Sequence, residues 1–273
     1  GSNCGAMSQH SLVHVDGIMY WMGKSGGFYA YDGGSVKKLT CSVEDFVFTT
    51  QTDDDLGFNF GQSEQVFAGY NTLFTEINWF YCKDGSTQID RCVTLNYREG
   101  LWTTSSLART AYSDKYVLDN PYATEYNVTG LPSISINGIT NEFGAAILYK
   151  HETGNNQLDV VGNKTPINAF IESGDFEMPM EGSAGEFFVK IRRFIPDFGK
   201  LDGNAQITIS LKDFPSETEA SSPLGPFTIT SSTKKVDTRA RGRLASLKIE
   251  NTSTDESWRF GAFRADVQPD GRR

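Results

Sequence analysis

Apolar residues recur at every second position along most of the chain, and this pattern restricts the fold more than any other feature. It is plain in Leu12-Val13-His14-Val15, Phe28-Tyr29-Ala30-Tyr31, Val93-Thr94-Leu95-Asn96-Tyr97, Gln206-Ile207-Thr208-Ile209-Ser210-Leu211 and Leu244-Ala245-Ser246-Leu247-Lys248-Ile249. Successive side chains of a strand point to opposite faces, so a period of two marks strands with one packed and one wetted face. Turn dipeptides separate these runs, among them Asp16-Gly17, Asp32-Gly33, Asp84-Gly85 and Asp202-Gly203. Such pairs supply the positive φ angles that tight hairpins need. Only Ser42-Val43-Glu44-Asp45-Phe46-Val47-Phe48 offers a helical turn, with Ser42 as its cap, and the apolar Val and Phe there compete for a strand. The expected class is all-β, with roughly a dozen or more short strands.

One unit repeats. Tyr29-Ala30-Tyr31-Asp32-Gly33 is echoed by Leu95-Asn96-Tyr97-Arg98-Glu99-Gly100 and by Leu148-Tyr149-Lys150-His151-Glu152-Thr153-Gly154, each an aromatic strand running into a polar turn that ends in glycine. The first two follow the aromatic strands Ile18-Met19-Tyr20-Trp21 and Glu76-Ile77-Asn78-Trp79-Phe80-Tyr81. Spacing of this kind suits four-stranded β-propeller blades with loops of varied length, the rival being unrelated hairpins of a β-sandwich. The aromatics then serve mainly as packing between neighbouring sheets. The texture changes near residue 165. The reading is therefore about three propeller-like blades over 1–165, an incomplete propeller, and a β-rich C-terminal region over 166–273 formed of last blades or a sandwich.

The formal net charge of −9 and pI near 4.9 argue against a nucleic-acid reader, because phosphate binding needs clustered Lys and Arg. A wall past which DNA slides without sticking remains compatible with that charge. Cys4, Cys41, Cys82 and Cys92 include no C-x-x-C pair, and His10, His14 and His151 do not stand at zinc-ligand spacing from them. Reduced thiols are expected, with a Cys82–Cys92 cross-hairpin bridge as the alternative. No apolar run is long enough to span a membrane as a helix, and no secretory signal opens the chain. No hydrolase elbow, zincin helix, phosphate loop or dinucleotide fingerprint is present, nothing asks for a cofactor, and no carboxylate pair stands out for glycoside cleavage. Asp53-Asp54-Asp55 lacks the glycine of a calcium loop at its set position and reads as an exposed acidic loop.

The strongest charge pattern is Asp237-Thr238-Arg239-Ala240-Arg241-Gly242-Arg243. In a strand Arg239, Arg241 and Arg243 share one face and ask for a counter-charge, from neighbouring carboxylates, another subunit or passing phosphates. The chain closes on a second basic group, Arg272 and Arg273, after Pro269-Asp270-Gly271.

Several segments together resemble a family of tailed-phage virion proteins. They are Asn3-Cys4-Gly5, Val15 to Gly23, Gly27 to Gly33, Asn78-Trp79-Phe80-Tyr81, Leu107-Ala108-Arg109-Thr110-Ala111, Tyr149-Lys150-His151-Glu152, Pro196-Asp197-Phe198, Arg239 to Arg243, Trp258 to Asp266, and Pro269 to Arg273. The family is that of the tail nozzle, tail tubular or packaged-DNA-stabilisation proteins of short-tailed phages, of which this chain resembles the C-terminal half. The resemblance implies a non-enzymatic propeller subunit of the virion tail, assembled in the host cytoplasm as a ring, typically a hexamer. Its partners would be its own copies, the tail adaptor ring, tail fibres and genomic DNA in transit, with no membrane insertion. Family members are more than twice as long, and this chain lacks an initiator Met, so a missing upstream part is expected. An arginine row facing an acidic loop such as Asp53 to Asp55 would set register between subunits. Two other readings stay open: a glycan-binding or carbohydrate-active propeller using Trp21, Trp79 or Trp102 as sugar platforms, and a host-derived β-sandwich scaffold domain.

Overall fold

The computed structural model describes residues 3–49, 57–126, 134–136, 139–141, 146–158, 162–177, 187–217 and 223–271. The chain is all-β and divides into two compact units, Gly1–Thr153 and Gly154–Arg273. The change of texture near residue 165 falls inside the second unit.

In the first unit β1 (Leu12–Val15), β2 (Ile18–Met22), β3 (Phe28–Tyr31) and β4 (Val36–Lys38) form an antiparallel meander in chain order. Asp16 and Gly17 join β1 to β2 with φ of 52° and 82°, the left-handed pair that a two-residue hairpin with the native twist requires. A short helix, α1 (Glu44–Phe48), follows. The Ser42–Phe48 stretch is therefore helical despite its strand-like content, with Val47 in the core and Phe46 and Phe48 packed against it from a helical turn. Ser42 is not its cap: Val43 occupies that position and no side-chain cap bond forms.

A second meander repeats the plan with β5 (Phe67–Asn71), β6 (Glu76–Tyr81), β7 (Arg91–Asn96) and β8 (Leu101–Ser105). The third sheet has three strands, β9 (Ala111–Ser113), β10 (Tyr122–Glu125) and β13 (Ile147–Lys150), with a hairpin of β11 (Ile134–Ile136) and β12 (Ile139–Asn141) between the last two in sequence. The tyrosine echo has a structural meaning. Tyr31 ends the third strand of the first sheet, Tyr97 follows the third strand of the second, and Tyr149 lies in the last of the third.

The first two sheets share one core. Phe28 from β3 lies 5.0 Å from Trp79 of β6 and 4.6 Å from Trp102 of β8, ring centre to ring centre. Buried indoles seek an acceptor for their N–H. Trp79 donates to the carbonyl of Ser11 at 2.9 Å, and Trp102 to that of Thr40 at 2.9 Å, both on segments flanking the first sheet. Thus each tryptophan fastens one meander to the next through an aromatic face and a polar tip.

The second unit begins with a ribbon of β14 (Asn156–Leu158) and β15 (Lys164–Pro166). One sheet then runs β16 (Phe170–Glu172), β23 (Leu244–Glu250), β20 (Ala205–Lys212), β21 (Leu224–Ile229), with β17 (Phe176–Glu177) also pairing β23. A second sheet runs β22 (Val236–Gly242), β18 (Val189–Ile195), β25 (Arg264–Pro269), and β19 (Phe198–Asp202) pairs with β24 (Ser257–Phe260). Ile191, Phe194 and Ala240 of one sheet and Ile207, Ile209 and Ile249 of the other belong to a single core, the two-layer arrangement of a sandwich. Asn251, buried just after β23, extends the pairing: its side chain accepts from the Ala169 amide at 3.1 Å and donates to the Ile167 carbonyl at 2.7 Å.

Candidate functional site

In the first unit the polar groups converge on Arg109, in the segment between β8 and β9. Glu125 opposes Ile147 and Ala123 opposes Tyr149 across β10 and β13, which places Glu125 and Tyr149 on one face. Arg109 lies buried over that face. Its Nε donates to His151 Nε2 at 2.9 Å, and its Nη1 to Glu125 Oε2 at 3.0 Å and the Ala108 carbonyl at 2.6 Å. The guanidinium carbon stands 4.1 Å from the centre of the Tyr149 ring. Because Nε2 of His151 accepts this bond, the imidazole is neutral and carries its proton on Nδ1. Burial, and then the charge of Arg109, push its pKa down to about 4. A base whose lone pair is held by a guanidinium is a poor proton acceptor for a substrate, and the cluster joins the β8–β9 segment to the β10–β13 pair. His151 and Glu152 indeed take separate partners, since Glu152 accepts from Asn71 Nδ2 at 2.9 Å. Buried Asp114 accepts from the Thr72 amide and hydroxyl, tying the β5–β6 turn to the third sheet.

The cysteines are all free. Burial pushes the thiols of Cys41 and Cys82 up to about 11 and that of Cys92 up to about 12, so these three remain protonated and unreactive near neutral pH. Among the described residues no group of three or more His, Cys, Asp or Glu side chains is placed to hold a metal ion. Trp21, Trp79 and Trp102, the nominated sugar platforms, are all buried in the first unit and cannot stack on a glycan.

In the second unit the arginine row lies on β22, where Arg239 and Arg241 are exposed and alternate with buried Ala240 and Gly242. Arg243 does not extend the row. The strand ends at Gly242, whose position would bring a Cβ to 3.1 Å from Leu211 Cβ, and the Arg243 amide bonds the Lys212 carbonyl of the facing sheet at 2.9 Å. The alternation breaks at that crossing. Arg241 and Arg243 instead meet on Phe188, with guanidinium carbons 3.9 and 4.6 Å from its ring centre, and Arg241 pairs with Asp270 at 2.6 Å.

The neighbouring strand adds cations that sequence reading missed. Lys190 of β18 opposes Arg241, and Arg192 sits at the irregularity where the β18 register shifts. Arg193 is held between Asp237 and Asp266 at 3.5 and 3.7 Å. Lys190, Arg192 and Arg239 are exposed and form no ion pair among the described residues. This face is a small basic patch on an acidic protein. Its signal in the sequence was the period-two run Val189-Lys190-Ile191, but the adjacency of β18 and β22 is long-range and left no local trace. Asp53, Asp54, Asp55, Arg272 and Arg273 lie outside the described residues.

No family model matches the chain, and no curated protein matches it.

Proposed function

We propose that the chain is a structural subunit of the tail of a short-tailed phage, assembling with its own copies into a ring that conducts and retains genomic DNA. One observation carries the reading: segments that bear the resemblance, remote in sequence, hold one another in place. Arg109 of Leu107–Ala111 grips Tyr149 and His151 of Tyr149–Glu152. Asp197 of Pro196–Phe198 accepts from Arg264 at 3.1 and 3.2 Å, while Phe198 packs on Trp258 and Phe260. Arg241 pairs with Asp270 of the terminal Pro269–Arg273 run. Residues that carry the resemblance and serve here as internal fastenings support a protein whose work is done by shape.

The ring, hexameric in the family resembled, would use heterologous contacts, in which the basic face of β22 and β18 meets an acidic surface of the next copy. The adaptor ring and tail fibres are the further partners of this reading. Negative-stain imaging of the purified chain tests it: closed rings are expected, and a monomer at every concentration would overturn it. Reversing charge in the combined variant Lys190→Glu, Arg192→Glu, Arg239→Glu is expected to abolish rings while leaving the thermal midpoint of the monomer unchanged.

A further inference from the structure

The charge of the chain is divided unequally between its two units. Gly1–Thr153 holds nine Lys and Arg against seventeen Asp and Glu, whereas Gly154–Arg273 holds sixteen against seventeen. The excess of acid therefore belongs almost wholly to the first unit, while the exposed cations Lys190, Arg192 and Arg239 belong to the second.

Part of that excess gathers on three adjoining segments of the first unit. The Gly57 amide donates to the Phe46 carbonyl at 3.2 Å and the Asp84 amide to the Gly57 carbonyl at 3.3 Å, which joins α1 to the β6–β7 turn. The residues after Gly57 follow the same turn, since Asn59 Nδ2 donates to the Ser86 carbonyl at 2.8 Å and Gln65 Nε2 to that of Thr87 at 3.0 Å. Asp45 of α1, Glu64 of the 3-10 turn Phe60–Gln65 and Asp84 of the β6–β7 turn are exposed, and none forms an ion pair among the described residues. Beside them stand two cations, Lys83 and Lys38, and Glu44 holds the second at 2.5 Å.

Two copies meeting basic face to basic face would oppose each patch to itself, and like charges repel. A duplex suits the face no better. Asp237, Asp266 and Asp270 interleave with its arginines at the surface, and carboxylates weaken a track for phosphates. We infer that the β22–β18 face docks on the Asp45, Glu64 and Asp84 surface of a second copy of this chain. Such a contact joins two different surfaces, the heterologous kind that closes into a ring or continues as a filament. Ionic groups across an interface govern partner choice and encounter more than affinity, so these charges select the neighbour and set its register. The contact presupposes the ring proposed above and names the surface on which the basic face rests.

The test reverses each side in the full chain. Lys190→Glu, Arg192→Glu, Arg239→Glu leaves a chain with two acidic surfaces, and Asp45→Lys, Glu64→Lys, Asp84→Lys leaves one with two basic surfaces. Each alone is expected to run at monomer mass in light scattering, with circular dichroism as in the wild type. An equimolar mixture is expected to regain the wild-type mass, because the facing surfaces are again opposite in sign. A chain carrying all six changes should assemble by itself, and it serves as the folding control. Assembly of the Asp45, Glu64, Asp84 variant alone, or a mixture that stays monomeric, would overturn the docking surface while the wild-type ring stands. So would a duplex oligonucleotide whose binding, followed by fluorescence anisotropy, is lost with the face reversed and kept with the acidic surface reversed. A wild-type chain that never assembles would overturn the ring itself.

Discussion

Arg109 concentrates in one side chain the contacts that bind the third sheet of the first unit, since Glu125, Tyr149, His151 and the Ala108 carbonyl all meet it. Arg109→Met leaves Glu125 half-buried without its cation and is expected to cost about 3 kcal/mol or more in urea unfolding, the range for breaking one side of a buried pair. His151 makes a separate prediction. Its folded pKa, about 4, lies below the ordinary value of 6.5, so between those values the unfolded chain binds more protons. Stability must then fall as pH drops from 6.5 towards 4, with no contribution above 6.5. His151→Gln retains an acceptor for Arg109 but does not titrate, and unfolding free energies at pH 7 and pH 5 should differ less in this variant than in the wild type. At this scale the sequence was half legible. The neighbours Tyr149, His151 and Glu152 were visible as a motif, but Arg109 stands some forty positions away, and nothing local announces that such a loop residue will be buried.

Strands, turns and their repetition were the most legible features, because each is written in short-range chemistry. Period two revealed β1, β3, β20 and β23 almost to the residue and the body of β7, and Asp16-Gly17 announced the first hairpin. Where two short-range signals conflicted, as in Ser42 to Phe48, only the packing of Phe46, Val47 and Phe48 decided between them. Arg243 was misplaced for a related reason: a strand that passes from one layer to the other ends its alternation without any change of residue type. Contacts between sheets yield two predictions. Gly69 of β5 lies against Tyr112 of β9, and an added Cβ would stand 2.6 Å from the ring, so Gly69→Ala should destabilise by about 1–3 kcal/mol in denaturant melts. Trp102→Phe removes the donor to Thr40 and part of the contact with Phe28, and a loss of about 2 kcal/mol is expected by the same measurement.

For the whole molecule, a basic patch on a chain of net charge −9 would make the proposed assembly an ionic matter. Exposed charges are screened within about 8 Å at physiological ionic strength, so the proposed ring, held through Lys190, Arg192 and Arg239, should weaken as salt rises. Sedimentation across a salt series measures that dependence. The patch was not legible in the sequence beyond Arg239 and Arg241, because it needs β18 beside β22. Asn251 has a practical consequence of another kind. It begins the tripeptide Asn251-Thr252-Ser253, an acceptor for N-linked glycan, yet its amide is buried and holds Ile167 and Ala169 in place. A chain produced through a secretory host would be open to sugar attachment there before folding, and the modified amide could not then seat beside β16. Bacterial production avoids that trap without touching the side chain, whereas Asn251→Gln removes the acceptor at the cost of both hydrogen bonds, since the longer side chain reaches past the two partners.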